Sequence, residues 1–107
     1  MEFKRAVAAA AVTRLAAGRR TVEAAADHVL ARIGDVVWVT LEGDRKLNAL
    51  LEFRKRIMAL DADKPTPPKL AIARFHYDGC LNWADKANLG PEQSAELLMD
   101  TLLDDQR

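Results

Sequence analysis

Residues 36–41, VVWVTL, are followed by Glu42-Gly43 and then by a longer segment, Asp44–Leu60. β-Branched and aromatic residues such as those of 36–41 favour a pleated strand. Both faces of this strand would be largely apolar, which is typical of a strand covered on both sides. Gly43 would end the strand, and Asp44 is a suitable N-cap for a helix. We therefore predict a buried strand, a tight turn and an amphipathic helix at the centre of the fold.

The helix predicted for Asp44–Leu60 has one apolar face about half a turn wide. That face consists of Leu47, Leu50, Leu51, Phe53, Ile57, Met58 and Leu60. Arg54 lies inside the same arc. Its aliphatic stem can pack on the core while its charged end reaches water, or it can pair with a carboxylate across an interface. Both interpretations stay open, and Arg54 is a candidate for a partner interface.

Residues 36–50, VVWVTLEGDRKLNAL, resemble the opening of enoyl-CoA hydratase (crotonase) family proteins, which begin with a strand, a short turn and a similar helix start. The resemblance implies glycine-rich loops that supply backbone N–H groups to a thioester oxyanion. Residues 75–80, FHYDGC, do not match such a loop, and 107 residues are too few for that fold. We interpret the likeness as convergence on a strand-turn-helix unit.

The length and composition indicate one small domain. A chain of 107 residues can form an independent core, although its many alanines predict a thin one. A single cysteine excludes an internal disulfide framework and fits a reducing cytoplasm. We predict no membrane association, because no apolar run is long enough to cross a bilayer. The basic, acid-free N-terminus resembles a targeting signal, but Arg14 interrupts its apolar run, so we predict an ordinary helix.

The N-terminal third has the pattern of a helical hairpin. Hydrophobic periodicity predicts helices over 3–17 and 22–33, with Gly18 and Gly34 as their ends. Such a hairpin raises the alternative of a DNA-binding regulator. Three arginines are candidates for phosphate contacts: Arg14, Arg19 and Arg20. The exposed face of the second helix nevertheless carries two acids and no side chain suited to reading base edges.

The segment after the central helix is harder to assign. Prolines make 61–68 a loop. We predict a second strand over Lys69–Tyr77, a hairpin turn at Asp78-Gly79 and a return strand over Cys80–Trp83. A helix that starts at Pro67-Pro68 and runs through 70–77 is the alternative. If 36–41 and 70–77 pair in parallel, the connection between them is a right-handed crossover.

These segments predict one α+β domain with a two- or three-stranded sheet and one crossover helix. Its parts in chain order are a helical hairpin (1–34), a strand-turn-helix (35–60), a Pro-rich loop (61–68), and a hairpin plus an acidic C-terminal helix (69–107).

Charge divides the chain into two halves. Residues 1–56 carry a net charge of +4 and residues 57–107 a net charge of −4. In the last helix, Glu96, Asp100 and Asp104 recur at i, i+4, where like charges repel. We therefore predict that this acidic stripe meets a basic surface, on a partner or on another copy. Trp83 is added to the predicted partner interface, because tryptophan is enriched in binding hot spots.

The sequence contains no recognisable catalytic or metal-binding motif. Cys80 and His76 would flank the predicted hairpin turn as a nucleophile pair, but no third group orients them. We predict no catalytic residues, no metal and no cofactor. The favoured function is a non-enzymatic protein-interaction or assembly module of a bacterial or phage type, with a protein partner or a second copy bound. A nucleic-acid-binding regulator is the alternative, and a small Cys/His enzyme is a distant third.

Overall fold

In a computed structural model of the chain, the described residues are 2–37, 44–60 and 65–104, and they contain helices only. The helices are α1 (Glu2–Ala16), α2 (Val22–Val37), α3 (Asp44–Met58), α4 (Pro68–Lys86) and α5 (Pro91–Asp104). No strand occurs in these ranges, so the predicted α+β class with its sheet and crossover is wrong. The predicted helices of 3–17, 22–33 and 44–60 correspond to α1, α2 and α3.

The alanine-rich helix α1 lies at the centre of the fold. Every residue from Ala6 to Val12 is at most 2% exposed, so all sides of the helix are covered. A helix that is apolar all round is typical of a buried position. All four other helices pack on α1, and the small alanine side chains allow their close approach. The alanine content therefore serves close packing around α1.

The outer helices form an incomplete ring around α1. α2 packs on α3 and on α5, and α3 packs on α4. By contrast, α4 and α5 hardly contact each other, although the short segment 87–90 joins them. The ring is therefore open between α4 and α5.

The strand predicted for 36–41 is not present in its described part. Val36 and Val37 form the last turn of α2, and 38–43 lie outside the described residues. Gly34 lies within the helix and does not end it, although glycine costs about 1 kcal/mol relative to alanine there. Val37 is fully buried one turn after the buried Ile33. Burying a valine contributes about 1.5 kcal/mol or more, which offsets the glycine.

The predicted strands and hairpin of 69–83 are also wrong. All of these residues lie in α4, and the alternative of a helix beginning at the proline pair is confirmed. Pro68 occupies the first helical turn, where its missing N–H breaks no hydrogen bond. The buried residues Ala73, Tyr77 and Ala84 recur at helical spacing. An Asp-Gly pair signals a hairpin only between two strands, and burial at this spacing favours a helix.

A Schellman motif separates α4 from α5. The N–H of Asn88 donates to the carbonyl of Asp85 at 3.1 Å, and the N–H of Leu89 donates to the carbonyl of Ala84 at 3.2 Å. Asn88 has φ 56°, in the left-handed region that asparagine tolerates better than most residues. Pro91 then begins α5. This turn sends α5 back along α1.

Candidate functional site

An apolar groove occupies the opening between α4 and α5. Its volume is about 220 Å³. The floor and walls come from three helices, and the lining residues are Phe3, Phe75, His76, Gly79, Cys80, Trp83 and Leu98. The groove is the place where the ring around α1 is incomplete, so a further helix laid there would have apolar neighbours on both sides.

Helix α4 has two apolar sides, and the fold covers one of them. Its inner side packs on α1 through residues such as Ala73 and Tyr77. Its outer side carries Ile72, Phe75 and Trp83, which are 53%, 75% and 41% exposed. Their spacing of three and eight residues places them along one side of the helix over three turns. We call this set, together with Gly79, the outer stripe.

Aromatic contacts hold the wall of the groove. The His76 ring lies 4.9 Å from the Phe3 ring and 5.5 Å from the Phe75 ring, between centroids. Both contacts are edge-to-face, with interplanar angles of 79° and 77°. This geometry is the one that the ring quadrupoles favour. The contact between Phe3 of α1 and His76 of α4 therefore fixes one end of the groove before any partner binds.

Gly79 lies in the middle of the groove-lining part of α4. A Cβ atom added there would meet nothing within 4 Å. Packing inside the chain therefore does not require a glycine at this position. An interior helical glycine costs about 1 kcal/mol relative to alanine, and its usual benefit is the close approach of another backbone or ligand.

Cys80 and His76 do not form a catalytic pair. They lie one turn apart on α4 and both line the groove. Burial raises the pKa of the Cys80 thiol to about 11, so the thiolate that a nucleophile needs is scarce at neutral pH. The His76 ring is held between two phenylalanine rings. In the described residues no group of three or more His, Cys, Asp or Glu side chains is placed to bind a metal ion.

The acidic residues of α5 bind basic residues of α2 and of the turn that precedes it in the same chain. Arg20 contacts Glu92 at 3.1 Å, and Arg32 contacts Asp100 at 2.8 Å. Arg32 also binds Glu96, whose second carboxylate oxygen lies 2.9 Å from Nε2 of His28. These contacts, which we call the α2–α5 ladder, relieve the repulsion expected along α5.

Two of the predicted interface acids, Glu96 and Asp100, thus have partners within the chain, and Asp104 is exposed at the end of α5. Their role at a partner interface stays a prediction. The pKa of His28 is lowered, first by burial and then by the nearby charges of Arg20 and Arg32. His28 therefore acts in the ladder mainly as a neutral hydrogen-bond donor.

Arg14 fastens the end of α1 to the α4–α5 connection. Its guanidinium donates to Ser94 Oγ at 3.0 Å, to the Leu89 carbonyl at 2.9 Å and to Asp85 at 3.2 Å. Together with Arg20 in the ladder, two of the three predicted phosphate contacts have carboxylate partners, and Arg19 is exposed in the turn after α1. A phosphate would have to compete with those carboxylates.

Arg54 also bonds within the fold. Its Nε donates to Thr13 Oγ1 at 3.0 Å, and Thr13 lies 2.8 Å from the hydroxyl of Tyr77. This chain of hydrogen bonds crosses α3, α1 and α4.

Among the predicted interface residues, Trp83 is the one that lines the groove. Phe3, Ile72, Phe75 and Gly79 are not among the predicted site residues, and the helical spacing of 72–83 was the signal that could have found the last three.

Comparisons with known proteins give no further guide. No protein-family model matches the chain, and neither characterised proteins nor solved structures show a match. In the described part of the chain, no helix has both the length and the apolar character needed to span a membrane.

Proposed function

We propose that this chain is a non-enzymatic protein-interaction module that binds an apolar segment of a partner in the groove between α4 and α5. The observation that carries the proposal is the outer stripe of α4, which the fold leaves exposed beside an opening in the helical ring. A cytoplasmic location belongs to the same proposal, since a lone unpaired thiol suits a reducing compartment.

The size of the patch supports this function. The exposed parts of Phe3, Ile72, Phe75 and Trp83 amount to roughly 400 Å², taking 150–250 Å² for a whole large apolar side chain. Contiguous apolar patches of this size on a small protein are commonly binding sites. Positions i, i+3, i+7 and i+11, which are 72, 75, 79 and 83 here, also form the side by which one helix packs on another.

The chemistry of the groove favours a protein partner over the alternatives. Among the described residues, no Lys, Arg, Asp or Glu lines it, whereas nucleic-acid binding depends on basic groups available at the surface. The raised thiol pKa of Cys80 gives a Cys/His enzyme little support. An apolar partner segment is the ligand class that matches Phe75 and Trp83, and aromatic side chains of this kind act as anchors in interfaces.

Affinity capture with three tagged baits tests the proposal. The baits are the wild-type chain, Phe75→Glu in the outer stripe, and Met58→Glu as a matched control. Met58 is 50% exposed on α3 and does not line the groove. Proteins, including untagged copies of this chain, that are retained by the wild type and Met58→Glu but lost with Phe75→Glu would support groove binding. An identical set of proteins with all three baits would contradict it.

A further inference from the structure

We infer that the occupant of the groove is a second copy of this chain, with the two α4 helices crossing antiparallel at Gly79. The inference rests on the proposed function and names its partner. It predicts a two-fold symmetric dimer in which the outer stripe of each copy covers the groove of the other.

The outer stripe is symmetric about Gly79. Phe75 precedes this glycine by four residues and Trp83 follows it by four. When two such helices cross antiparallel about an axis at Gly79, Phe75 of each copy faces Trp83 of its mate. A two-fold interface requires this reciprocity, because residue i must fit residue j in both directions. At the axis the two glycines face each other, and the open space around each allows the backbones to approach.

The area and charge of the stripe also fit a copy of itself. A standard interface buries about 800 Å² per partner, of which somewhat more than half is apolar. The roughly 400 Å² of exposed apolar surface beside the groove is close to that share. Ile72, Phe75, Gly79 and Trp83 carry no formal charge. Two copies can therefore meet through the stripe without placing like charges at the centre of the interface.

The groove of one copy is large enough to receive the exposed Phe75 side chain of the other. It is the most exposed of the large apolar side chains in the described residues, and it stands at the edge of a groove of about 220 Å³. Trp83 and Gly79 lie further along that groove. A crossing centred on Gly79 places Phe75 of one copy over this part of the other. Each copy thus supplies both an anchor and a site for it.

Sedimentation equilibrium of the purified chain, from about 1 µM to 1 mM, tests the inference. We expect a monomer–dimer equilibrium. Phe75→Glu should raise the dissociation constant about 100-fold or more, because it places a charge in an apolar contact. Met58→Glu, the control, should leave it unchanged. A chain that is monomeric over the whole range, or a dimer that Phe75→Glu does not weaken, would overturn the inference.

Gly79→Ala separates the dimer contact from the stability of the fold. A methyl group in open space on a helix should raise the Tm of the monomer by about 4 °C. The same methyl at the two-fold axis should raise the dissociation constant about tenfold. A variant that is more stable and dimerises equally well would show that the helices do not cross at Gly79.

Cross-linking of lysines tests the direction of the crossing. Antiparallel helices centred on Gly79 bring Lys69 of one copy within roughly 5 Å, along the axis, of Lys86 of the other. A parallel pair would instead join each lysine to its own counterpart. A short amine cross-linker applied to mixed ¹⁴N- and ¹⁵N-labelled chains distinguishes these products by mass. Links of Lys69 to Lys86 between chains are expected, and links of like to like would overturn the antiparallel arrangement.

The outcomes separate the inference from the proposed function. If the pure chain stays monomeric while Phe75-dependent capture of another protein persists, the second copy is wrong and groove binding stands. If the chain stays monomeric and capture does not depend on Phe75, both are wrong.

Discussion

Replacing Gly34 by alanine should raise the free energy of unfolding, and the size of the gain tests whether α2 continues as a helix through this residue. Gly34 lies inside α2 and is buried. A Cβ atom there would lie 3.5 Å from Cδ of Lys46 and 3.6 Å from side-chain atoms of Leu30, which are ordinary van der Waals distances. Gly34→Ala therefore fills available space without forcing a neighbour to move.

Two contributions make up the expected gain. Alanine is favoured over glycine in a helix interior by about 1 kcal/mol. The added methyl is buried against Leu30 and the stem of Lys46, which contributes up to about 0.8 kcal/mol more. We expect the free energy of unfolding to rise by about 1–2 kcal/mol, which corresponds to an increase in Tm of about 4–10 °C for a domain of this size.

Gly79→Ala is the matched control for this measurement. Its Cβ would meet no atom within 4 Å, so it gains the helical preference without the buried contact. Urea unfolding followed by circular dichroism should be carried out at a concentration where the chain is monomeric. The difference between the two gains then reports the buried methyl at Gly34. If Gly34→Ala loses stability while Gly79→Ala gains it, α2 does not pass through Gly34 as a helix. The helical assignment of Val36 and Val37 would then also be wrong.

Three further predictions concern the ladder and the turn. Arg32→Ala should lower the free energy of unfolding by about 1 kcal/mol at low salt and by less at high salt, since the pair is partly exposed and screened; equal losses at both salt concentrations would contradict an ionic role. Because the pKa of His28 is lowered in the fold, its contribution to stability should be complete above the unfolded value of 6.5 and lost as the pH falls through the folded pKa. His28→Gln should remove that part of the pH dependence, and unfolding curves between pH 7 and 4 that coincide in shape for both proteins would exclude it. Asn88→Val should cost about 1–2 kcal/mol through the left-handed φ of 56°, whereas Asn88→Gly should be neutral or stabilising; equal thermal shifts for both variants would rule out the Schellman turn.

Local signals were sufficient where one physical requirement dominated. The apolar arc of α3 has helical spacing and belongs to a segment with strong charges on its opposite face, so its helix could be predicted. Pro91 at the first position of α5 is likewise a reliable signal for the start of a helix, because proline suits that position and few others in a helix. In these segments the local preference and the tertiary packing agree.

The sequence was misleading where packing overrides local preference. Val36 and Val37 favour a strand by themselves, but Val37 continues the buried side of α2 beyond Gly34. Asp78-Gly79 signals a turn by composition, yet α4 passes through both residues. The helix α1 posed the opposite problem, because alanines on every side give no periodicity to show which side is buried. That information comes only from the helices that surround it.

The candidate site was hidden for a related reason. Phe75 and Trp83 were assigned to opposite strands of a hairpin, which separated them, whereas the helix places both on one side. The acidic stripe of α5 was visible in the sequence, but its basic counterpart on α2 could be found only after the parallel packing of the two helices was known. A charge pattern shows that a complement is needed and leaves open whether the same chain supplies it.

The ladder changes what a partner of this protein must offer. Positive charge in the first half of the chain and negative charge in the second half are brought together by the contacts of Arg20 and Arg32 with acids of α5. The contrast between the halves therefore serves the fold, and it no longer requires a charged partner. In the described part of the chain, one side of α4 is apolar and exposed, with a glycine at its middle. Recognition should accordingly depend little on salt and strongly on the shape of the side chain at position 75, and this combination would distinguish groove binding from binding through the acidic stripe.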